Sequence, residues 1–259
     1  MSLFRAIQII LFVLIVLMAP AIFADYMPVE GEIHYQLNWE LGDAELTADG
    51  LQVTNDLGYS IVIHEGYVSS YNATMNACEH SHGLFEWLWE QLTPSVAQAG
   101  HGEDDDPAMI DTTVVESFTA LESAYVGSVT VEEPAYCEGF YLIGSAHYLA
   151  QSLPEDFDML GYSLYLRGRY TTPEGITLPF SLLTDTGWGT LSDLVVPSTE
   201  ALTHVEVSGD PITISIQRNA ETMFDGITFD TLNETDLSRA ILRNLTESTQ
   251  FIVLSGKMH

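Results

Sequence analysis

The sequence predicts an all-β protein, a two-sheet antiparallel β-sandwich with one helical insert and a short C-terminal helix. From Glu32 onward, short runs of alternating apolar and polar residues recur between Gly, Pro, Asn and Asp, which is the pattern of strands and turns. At least seven such runs are present, enough for the two sheets of a sandwich. The chain beyond its N-terminal segment, about 235 residues, has the size of one domain.

The N-terminal segment, residues 1–24, is typical of a secretory signal peptide. One cation is followed by an apolar run with no acidic residue until Asp25, which predicts cleavage after Ala24. The length of the run and the presence of Ile22 near the cut leave an uncleaved membrane anchor as the alternative. We therefore expect a periplasmic or secreted protein with one domain over residues 25–259 and no other contact with a membrane.

The clearest strands form a predicted hairpin. Residues 162–169 alternate between an apolar face and a face that carries two arginines, and a turn at 173–175 leads into a second run at 176–182. Pro179 within the second run predicts an edge strand, because proline cannot donate to a neighbouring strand. Similar alternation occurs at 58–63, 66–78, 127–131 and 211–216.

Two stretches have apolar residues at helical spacing instead. Residues 83–92 are rich in aromatic side chains and predict a short helix within an insert at 78–112, the helix and loop together covering about 80–110. Residues 235–245 predict a second helix, capped by Thr235 or Asn233. Its apolar face consists of Leu237, Ile241, Leu242 and Leu245. A last strand is expected at 251–254.

Cys78 and Cys137 are the two cysteines of the chain. An exported domain folds in an oxidising compartment, so we expect them to form a disulfide. The bridge would close a loop of about 60 residues and stabilise the fold by about 4 kcal/mol on chain-entropy grounds. A pair of free thiols or of metal-binding thiolates is the alternative.

The charge of the chain is strongly negative. Thirty-seven acidic residues face seven lysines and arginines, for a formal net charge of −30. Nucleic acids and anionic lipid headgroups both need cationic contacts, so neither is an expected partner. Cations are the favoured partners, although an acidic surface is also a solubility adaptation to a salty medium.

Several histidines and acids lie where a metal site would form. His80 and His82 directly follow Cys78, His101 precedes an acidic run, and His147 lies ten residues after Cys137. The acidic run is Asp104, Asp105 and Asp106. A Cys78–Cys137 bridge would draw the histidine-bearing segments together, and imidazole is the commonest ligand of zinc and copper. The sequence therefore predicts a protein that binds copper or zinc through these seven residues.

Other interpretations of the same loop remain open. The acidic run could be a solvated surface loop, or it could hold calcium, although the spacing of an EF-hand is missing. In composition the loop is similar to the metal-catching loops of periplasmic zinc-binding proteins, a resemblance that carries no residue across.

Two other functions are suggested by different features. The helix with Trp87 and Trp89 could present its aromatic residues to another cell-envelope protein, although aromatic residues at this spacing are typical of a core. A secreted hydrolase is less favoured, since the serines lack the Gly-x-Ser-x-Gly elbow and no phosphate-binding glycine loop is present. We therefore expect no enzymatic activity and no catalytic residue.

Overall fold

The structure is a computed structural model, and it describes residues 30–78, 108–131, 135–197, 204–207, 209–255 and 257–258. These residues form fourteen strands, one 3₁₀-helix and one α-helix. The strands are β1 (Gly31–Glu40), β2 (Glu45–Thr47), β3 (Gly50–Thr54), β4 (Ser60–Ala77), β5 (Val114–Ser117), β6 (Ala124–Val131), β7 (Ala135–Ile143), β8 (Leu164–Thr171), β9 (Thr177–Thr184), β10 (Trp188–Val195), β11 (Val205–Glu206), β12 (Ile212–Asn219), β13 (Gln250–Ser255) and β14 (Lys257–Met258). The 3₁₀-helix is Glu221–Phe224, and α1 is Glu234–Glu247.

The strands form one continuous hydrogen-bonded ladder that folds into two layers. The first layer has the order β13-β12-β1-β6, and the second is built on β2-β3-β4-β7 with β5, β8, β9, β11 and β14 attached. Strand β10 pairs with β7 and with β13 and therefore joins the layers. The predicted all-β sandwich with a C-terminal helix is confirmed, whereas the predicted helix at 83–92 lies outside the described residues.

The prediction that all strands are antiparallel is wrong, because two strand pairings are parallel and the sheet is mixed. Strand β1 pairs in parallel with β12 and antiparallel with β6, and β10 pairs in parallel with β13. The N-terminal strand thus becomes the neighbour of a strand near the other end of the chain. Alternation in a sequence predicts a strand, but the direction of its neighbour depends on long-range contacts that alternation does not contain.

Strand β4 is the longest strand, and it pairs with four others. The two runs predicted at 58–63 and 66–78 are one strand with a register shift between Ile63 and Glu65. One edge of β4 pairs with β3 and then β5, while the other pairs with β8 and then β7. Ser70, near its middle, therefore lies between Val114 of β5 and Ile143 of β7.

The predicted hairpin is confirmed as β8 and β9. Gly175 closes its turn by donating to the Thr172 carbonyl at 2.9 Å. The backbone of Gly175 has φ +88°, a conformation that glycine adopts without strain. Among the described strands β9 pairs with β8 alone, so Pro179 does lie on an edge strand.

The C-terminal helix α1 begins where one of the two predicted caps placed it. Asn233 is the N-cap, and its Oδ1 accepts a hydrogen bond from the backbone N–H of Asp236 at 3.0 Å. All four residues of the predicted apolar face are buried: Leu237, Ile241, Leu242 and Leu245. The predicted strand at 251–254 is β13.

The main core lies between the two layers. Alternate residues of β1 and β12 fill it from one side and residues of β4, β7 and β8 from the other. Examples are Ile33, Tyr35, Ile214, Tyr141 and Leu166. A second, smaller cluster around Tyr165 and Met159 packs beneath the long connection between β7 and β8. That connection, residues 144–163, is therefore built on its own apolar base.

Candidate functional site

Most of the predicted metal ligands lie outside the residues that the structure describes. They are His80, His82, His101, Asp104, Asp105 and Asp106. The same holds for Trp87 and Trp89, the residues of the predicted interaction surface. Their roles stay predictions, and so do copper, zinc and calcium as ligands.

The predicted disulfide between Cys78 and Cys137 is confirmed. The two Cα atoms are 5.0 Å apart, and the backbone N–H of Cys78 donates to the Ala135 carbonyl at 3.1 Å. Cys78 directly follows β4, and Cys137 lies in β7, the strand paired with β4 at this point. The bridge therefore fixes the chain to the β4–β7 pair where the segment 79–107 begins. A disulfide is compatible with an extracellular or periplasmic protein.

The other end of this segment is fixed to the same strand. Ala108 is buried, and its carbonyl accepts a hydrogen bond from the Tyr35 hydroxyl at 2.7 Å. The backbone N–H of Ile110 donates to the Ala73 carbonyl of β4 at 2.8 Å. Ala73 and Cys78 lie five residues apart, which corresponds to roughly 17 Å along a strand. Both ends of the segment 79–107 are thus attached to one end of β4.

His147 is the one predicted metal ligand among the described residues, and its side chain is held by the protein. Its Nδ1 accepts a hydrogen bond from the backbone N–H of Leu149 at 3.2 Å. Its Nε2 lies 3.0 Å from the Thr113 hydroxyl, which donates to the Tyr71 carbonyl at 3.1 Å. Because Nδ1 accepts and the Thr113 proton is already used, Nε2 carries the ring proton.

The two hydrogen bonds of the His147 ring limit its ability to bind a metal. A neutral imidazole has one lone pair for a metal, and here that lone pair accepts the Leu149 N–H. Binding of a metal at His147 would therefore require the ring to leave at least one of its two hydrogen bonds. The ring does lie near the returning end of the segment 79–107, because Thr113 is three residues beyond Ile110.

A cleft of about 370 Å³ opens on another part of the surface. It lies between the β5–β6 connection and the connection from β7 to β8, and β4 contributes Tyr67 to its wall. Three acidic residues line it, Glu116, Glu122 and Asp156. The sequence does not predict this cleft, because its residues come from three separate parts of the chain.

Tyr67 and Asp156, which both line the cleft, are joined by a hydrogen bond. The Tyr67 hydroxyl donates to the Asp156 carboxylate at 2.9 Å. Partial burial and this hydrogen bond to a carboxylate both favour the neutral phenol, and they raise the pKa of Tyr67 to about 12. The phenol is therefore a hydrogen-bond donor over the whole physiological pH range, and it fixes the position of the Asp156 carboxylate.

The cleft wall formed by residues 152–156 is firmly supported. Phe157 stacks on Tyr165 with ring centroids 3.8 Å apart, and the Val115 N–H donates to the Gln151 carbonyl at 3.0 Å. Ser152 lines the cleft with a φ of 57°. This left-handed conformation is uncommon for residues other than glycine, and the chain turns there at the rim of the cleft.

The floor of the cleft is Glu116, which belongs to a buried ion pair with Arg218. Arg218 of β12 is 1% exposed, and its Nη2 donates to Oε1 of Glu116 at 2.7 Å while Nη1 donates to Oε2. Trp39 Nε1 donates to Oε1 at 3.0 Å, and the Ser70 hydroxyl donates to Oε2 at 2.9 Å. Each carboxylate oxygen therefore accepts two hydrogen bonds, and the pair joins the two layers of the sandwich.

The surroundings of Arg218 keep it charged. Its guanidinium lies over the Trp39 ring, 4.4 Å from the centroid, and its Nε donates to the Asn38 carbonyl at 3.2 Å. Burial lowers the pKa of Arg218, but the Glu116 carboxylate outweighs this effect and the net shift is upward. The Tyr141 hydroxyl lies 2.6 Å from the Ser70 hydroxyl, and burial raises the pKa of Tyr141. Because Arg218 stays charged, it neutralises the buried Glu116 carboxylate.

The sequence did contain a signal for the buried arginine. Ile212, Ile214 and Ile216 alternate on the inner face of β12, and Arg218 is the next residue in that row. A charged residue in register with a buried apolar row predicts either the end of the strand or a buried partner. The partner itself, Glu116, was not predictable, because it lies 102 positions away in another layer.

Two absences hold for the part of the chain that the structure describes. Within the described ranges, no three His, Cys, Asp or Glu side chains form a group that could hold a metal ion. The same ranges contain no helix that is long and apolar enough to cross a membrane.

Comparison with known proteins found no matching family model, no similar curated protein and no similar solved structure.

Proposed function

We propose that this chain is an exported, acidic β-sandwich protein that binds copper or zinc, and that it captures the ion or hands it on. The proposed ligands are His80, His82 and His101, with His147 and the acidic run as auxiliary ligands. The observation that supports the proposal is the attachment of both ends of the segment 79–107 to one end of β4.

Chain length allows the proposed ligands to meet. His82 is four residues from Cys78, and His101 is nine residues from Ile110. At about 3.5 Å per residue, these stretches reach at most roughly 14 Å and 32 Å, which together exceed the roughly 17 Å between Cys78 and Ala73, the residue to which Ile110 is bonded. Attachment of both ends of the segment 79–107 lowers the entropic cost of bringing the proposed ligands together.

The charge of the protein favours the same function. With a net charge of −30, the surface attracts divalent cations and raises their local concentration. Imidazole ligands must be neutral to bind the ion, so protons compete with the metal and affinity falls as pH decreases through the histidine range. His147 joins the ligands only if its ring leaves the Leu149 N–H or the Thr113 hydroxyl.

The test is equilibrium dialysis of the purified, disulfide-bonded protein against Cu²⁺ or Zn²⁺ at pH 7.5 and at pH 5.5. The variant carries His80→Ala, His82→Ala and His101→Ala together. A control variant carries His34→Ala, His64→Ala and His204→Ala, which removes three histidines that belong to other parts of the structure.

We expect about one ion per chain at pH 7.5, a loss of at least tenfold in affinity for the first variant, and unchanged binding for the control. Weaker binding at pH 5.5 is expected because protons compete with the metal ion for the imidazole nitrogens. Equal loss in both variants would contradict the proposal, and so would an absence of copper and zinc binding in the parent protein. His147→Gln should reduce affinity by less than the triple variant does.

A further inference from the structure

The connection between β7 and β8 exposes an apolar patch that consists of Tyr148, Leu149 and Leu160. Tyr148 is 78% exposed and Leu149 is 69% exposed, the two highest values among the large apolar side chains that the structure describes. Leu160 is 44% exposed, and its backbone is bridged to Ala146, two residues before Tyr148. Exposed apolar side chains that are grouped in this way mark an interaction surface.

The fold beneath the patch is already packed, so the patch residues have no core of their own to enter. Ala146 and Met159 are buried in the second apolar cluster. The Ala146 N–H donates to the Tyr162 carbonyl at 2.9 Å, and the Gly161 N–H donates to the Ala146 carbonyl at 2.8 Å. These bonds hold the two arms of the connection together, and the patch lies on their outer side.

We propose that a segment of the same chain, residues 84–89, covers this patch. The segment lies outside the described residues. Five of its six residues are large and apolar: Leu84, Phe85, Trp87, Leu88 and Trp89. Contact with the patch removes apolar surface from water on both partners, and the Tyr148 ring offers the tryptophans an aromatic neighbour.

The attachment of the chain at Cys78 places the patch within reach of this segment. Trp89 is eleven residues from Cys78 and therefore stays within roughly 38 Å of it. Tyr71 of β4 is seven residues from Cys78, which corresponds to roughly 23 Å along a strand. The Tyr71 ring lies 6.2 Å from the His147 ring, and the His147 ring lies 6.3 Å from the Tyr148 ring. This path is shorter than the reach of Trp89.

Charge disfavours two other occupants of the patch. Each chain carries a formal net charge of −30, so a second copy would be repelled. Glu155, Asp156 and Asp158 are exposed in the same connection and would repel the anionic headgroups of a lipid surface. A segment of the same chain is already attached, so its docking costs no translational freedom.

Docking of the segment also bears on the metal site proposed above. His82 is two residues before Leu84, so docking draws it toward His147, the neighbour of Tyr148 in the chain. The docking itself does not rest on metal binding, because it is driven by burial of apolar surface. It is therefore tested on metal-free protein.

The first test is nitration of the disulfide-bonded, metal-free protein with tetranitromethane, with each modified tyrosine quantified by mass spectrometry. Tyr125 of β6 is 61% exposed and serves as the internal reference. Without a cover, Tyr148 would react at least as fast as Tyr125, because it is the more exposed of the two. We expect it to react at least fivefold more slowly. Reaction of Tyr148 at the rate of Tyr125 in the parent protein would overturn the inference.

A variant then identifies the cover. Trp87→Ser with Trp89→Ser should accelerate nitration of Tyr148 at least fivefold and leave Tyr125 unchanged. A control variant, Leu46→Ser with Leu191→Ser, changes two exposed residues outside the patch and should leave the Tyr148 rate within twofold of the parent. Protection of Tyr148 that survives the loss of both tryptophans would overturn the inference, and so would protection that is lost on dilution, which would identify a second copy as the cover.

A reciprocal measurement observes the tryptophans themselves. The chain has four of them, and fluorine NMR of protein labelled with 5-fluorotryptophan resolves each one after assignment by single Trp→Phe changes. Tyr148→Ser with Leu149→Ser should shift the resonances of Trp87 and Trp89 and leave those of Trp39 and Trp188 in place. Unshifted Trp87 and Trp89 would overturn the inference. Copper and zinc are absent from these measurements, so a failure of the metal site leaves their result unaffected.

Discussion

The buried ion pair of Arg218 and Glu116 makes the sharpest stability prediction. Changing Arg218 to Met removes the cation and leaves the Glu116 carboxylate inside the sandwich with only Trp39 Nε1 and the Ser70 hydroxyl as donors. An uncompensated buried charge costs about 3–5 kcal/mol. Both side chains are less than a tenth exposed, so solvent screening gives little relief.

The double variant Arg218→Met with Glu116→Leu distinguishes the cost of leaving a buried charge unpaired from the net contribution of the ion pair to stability. Replacement of a buried pair by apolar residues of similar volume is often close to neutral, so the double variant should be more stable than Arg218→Met alone. Arg243→Met is the control, because Arg243 and Glu247 form an exposed pair whose loss costs about 0.3–0.5 kcal/mol.

The assay is thermal and urea unfolding at pH 7 with circular dichroism. For a domain of this size, a loss of 3–5 kcal/mol lowers the Tm by roughly 6–20 °C. A loss of stability in Arg218→Met no larger than that in Arg243→Met would contradict the cost of an unpaired buried charge. A loss in the double variant equal to the sum of the losses in Arg218→Met and Glu116→Leu would show that the two residues act independently and would contradict it as well.

Three further changes test other parts of the structure. Replacement of Cys78 and Cys137 by Ser should lower the free energy of unfolding by about 4 kcal/mol. Urea unfolding beside the parent, with and without reductant, measures the change. Unchanged stability would mean that the bridge hardly restricts the unfolded chain. Gly139→Ala should cost about 1–3 kcal/mol, since a Cβ at this position would lie 2.3 Å from the buried Phe251 ring, and a Tm within a degree of the parent would contradict the close approach of β7 to β13. Stability should also fall at alkaline pH. Burial and the Asp156 hydrogen bond raise the pKa of Tyr67 to about 12, and burial raises the pKa of Tyr141 and Tyr165. The stabilisation from these neutral phenols is fully present below about pH 10, where tyrosine of the unfolded chain ionises, and it disappears as pH rises through the pKa of the folded state. Absorbance at 295 nm and urea midpoints at increasing pH measure it, and tyrosines that all ionise near pH 10 without loss of stability would contradict it.

Local patterns in the sequence were sufficient for several elements of the fold, although strands such as β3, β7 and β10 were not individually predicted. The hairpin of β8 and β9, the edge position of Pro179 and the buried face of α1 are all predicted by the spacing of apolar residues and by proline chemistry. These features depend on a few consecutive residues, whose side chains alternate on a strand or recur at each turn of a helix. The N-cap needed the structure to decide between Asn233 and Thr235, because the two lie within one turn of each other.

The candidate sites were less accessible from sequence. The histidines near Cys78 were predicted to form a metal site because they are neighbours along the chain. The cleft was missed because Tyr67, Glu122 and Asp156 are distant from each other in sequence. The inward position of Arg218 was visible as an interruption of a buried row, but its partner was not.

By itself, the sequence determined the β-rich class and the C-terminal helix, and it allowed only one disulfide, Cys78–Cys137, which the structure contains. Only the tertiary structure decided the parallel pairing of β1 with β12, the ion pair across the layers and the cleft that it closes from below. The reason is physical. Strand and helix patterns record whether each residue is buried, whereas strand partners and clefts depend on which distant segments are buried against each other.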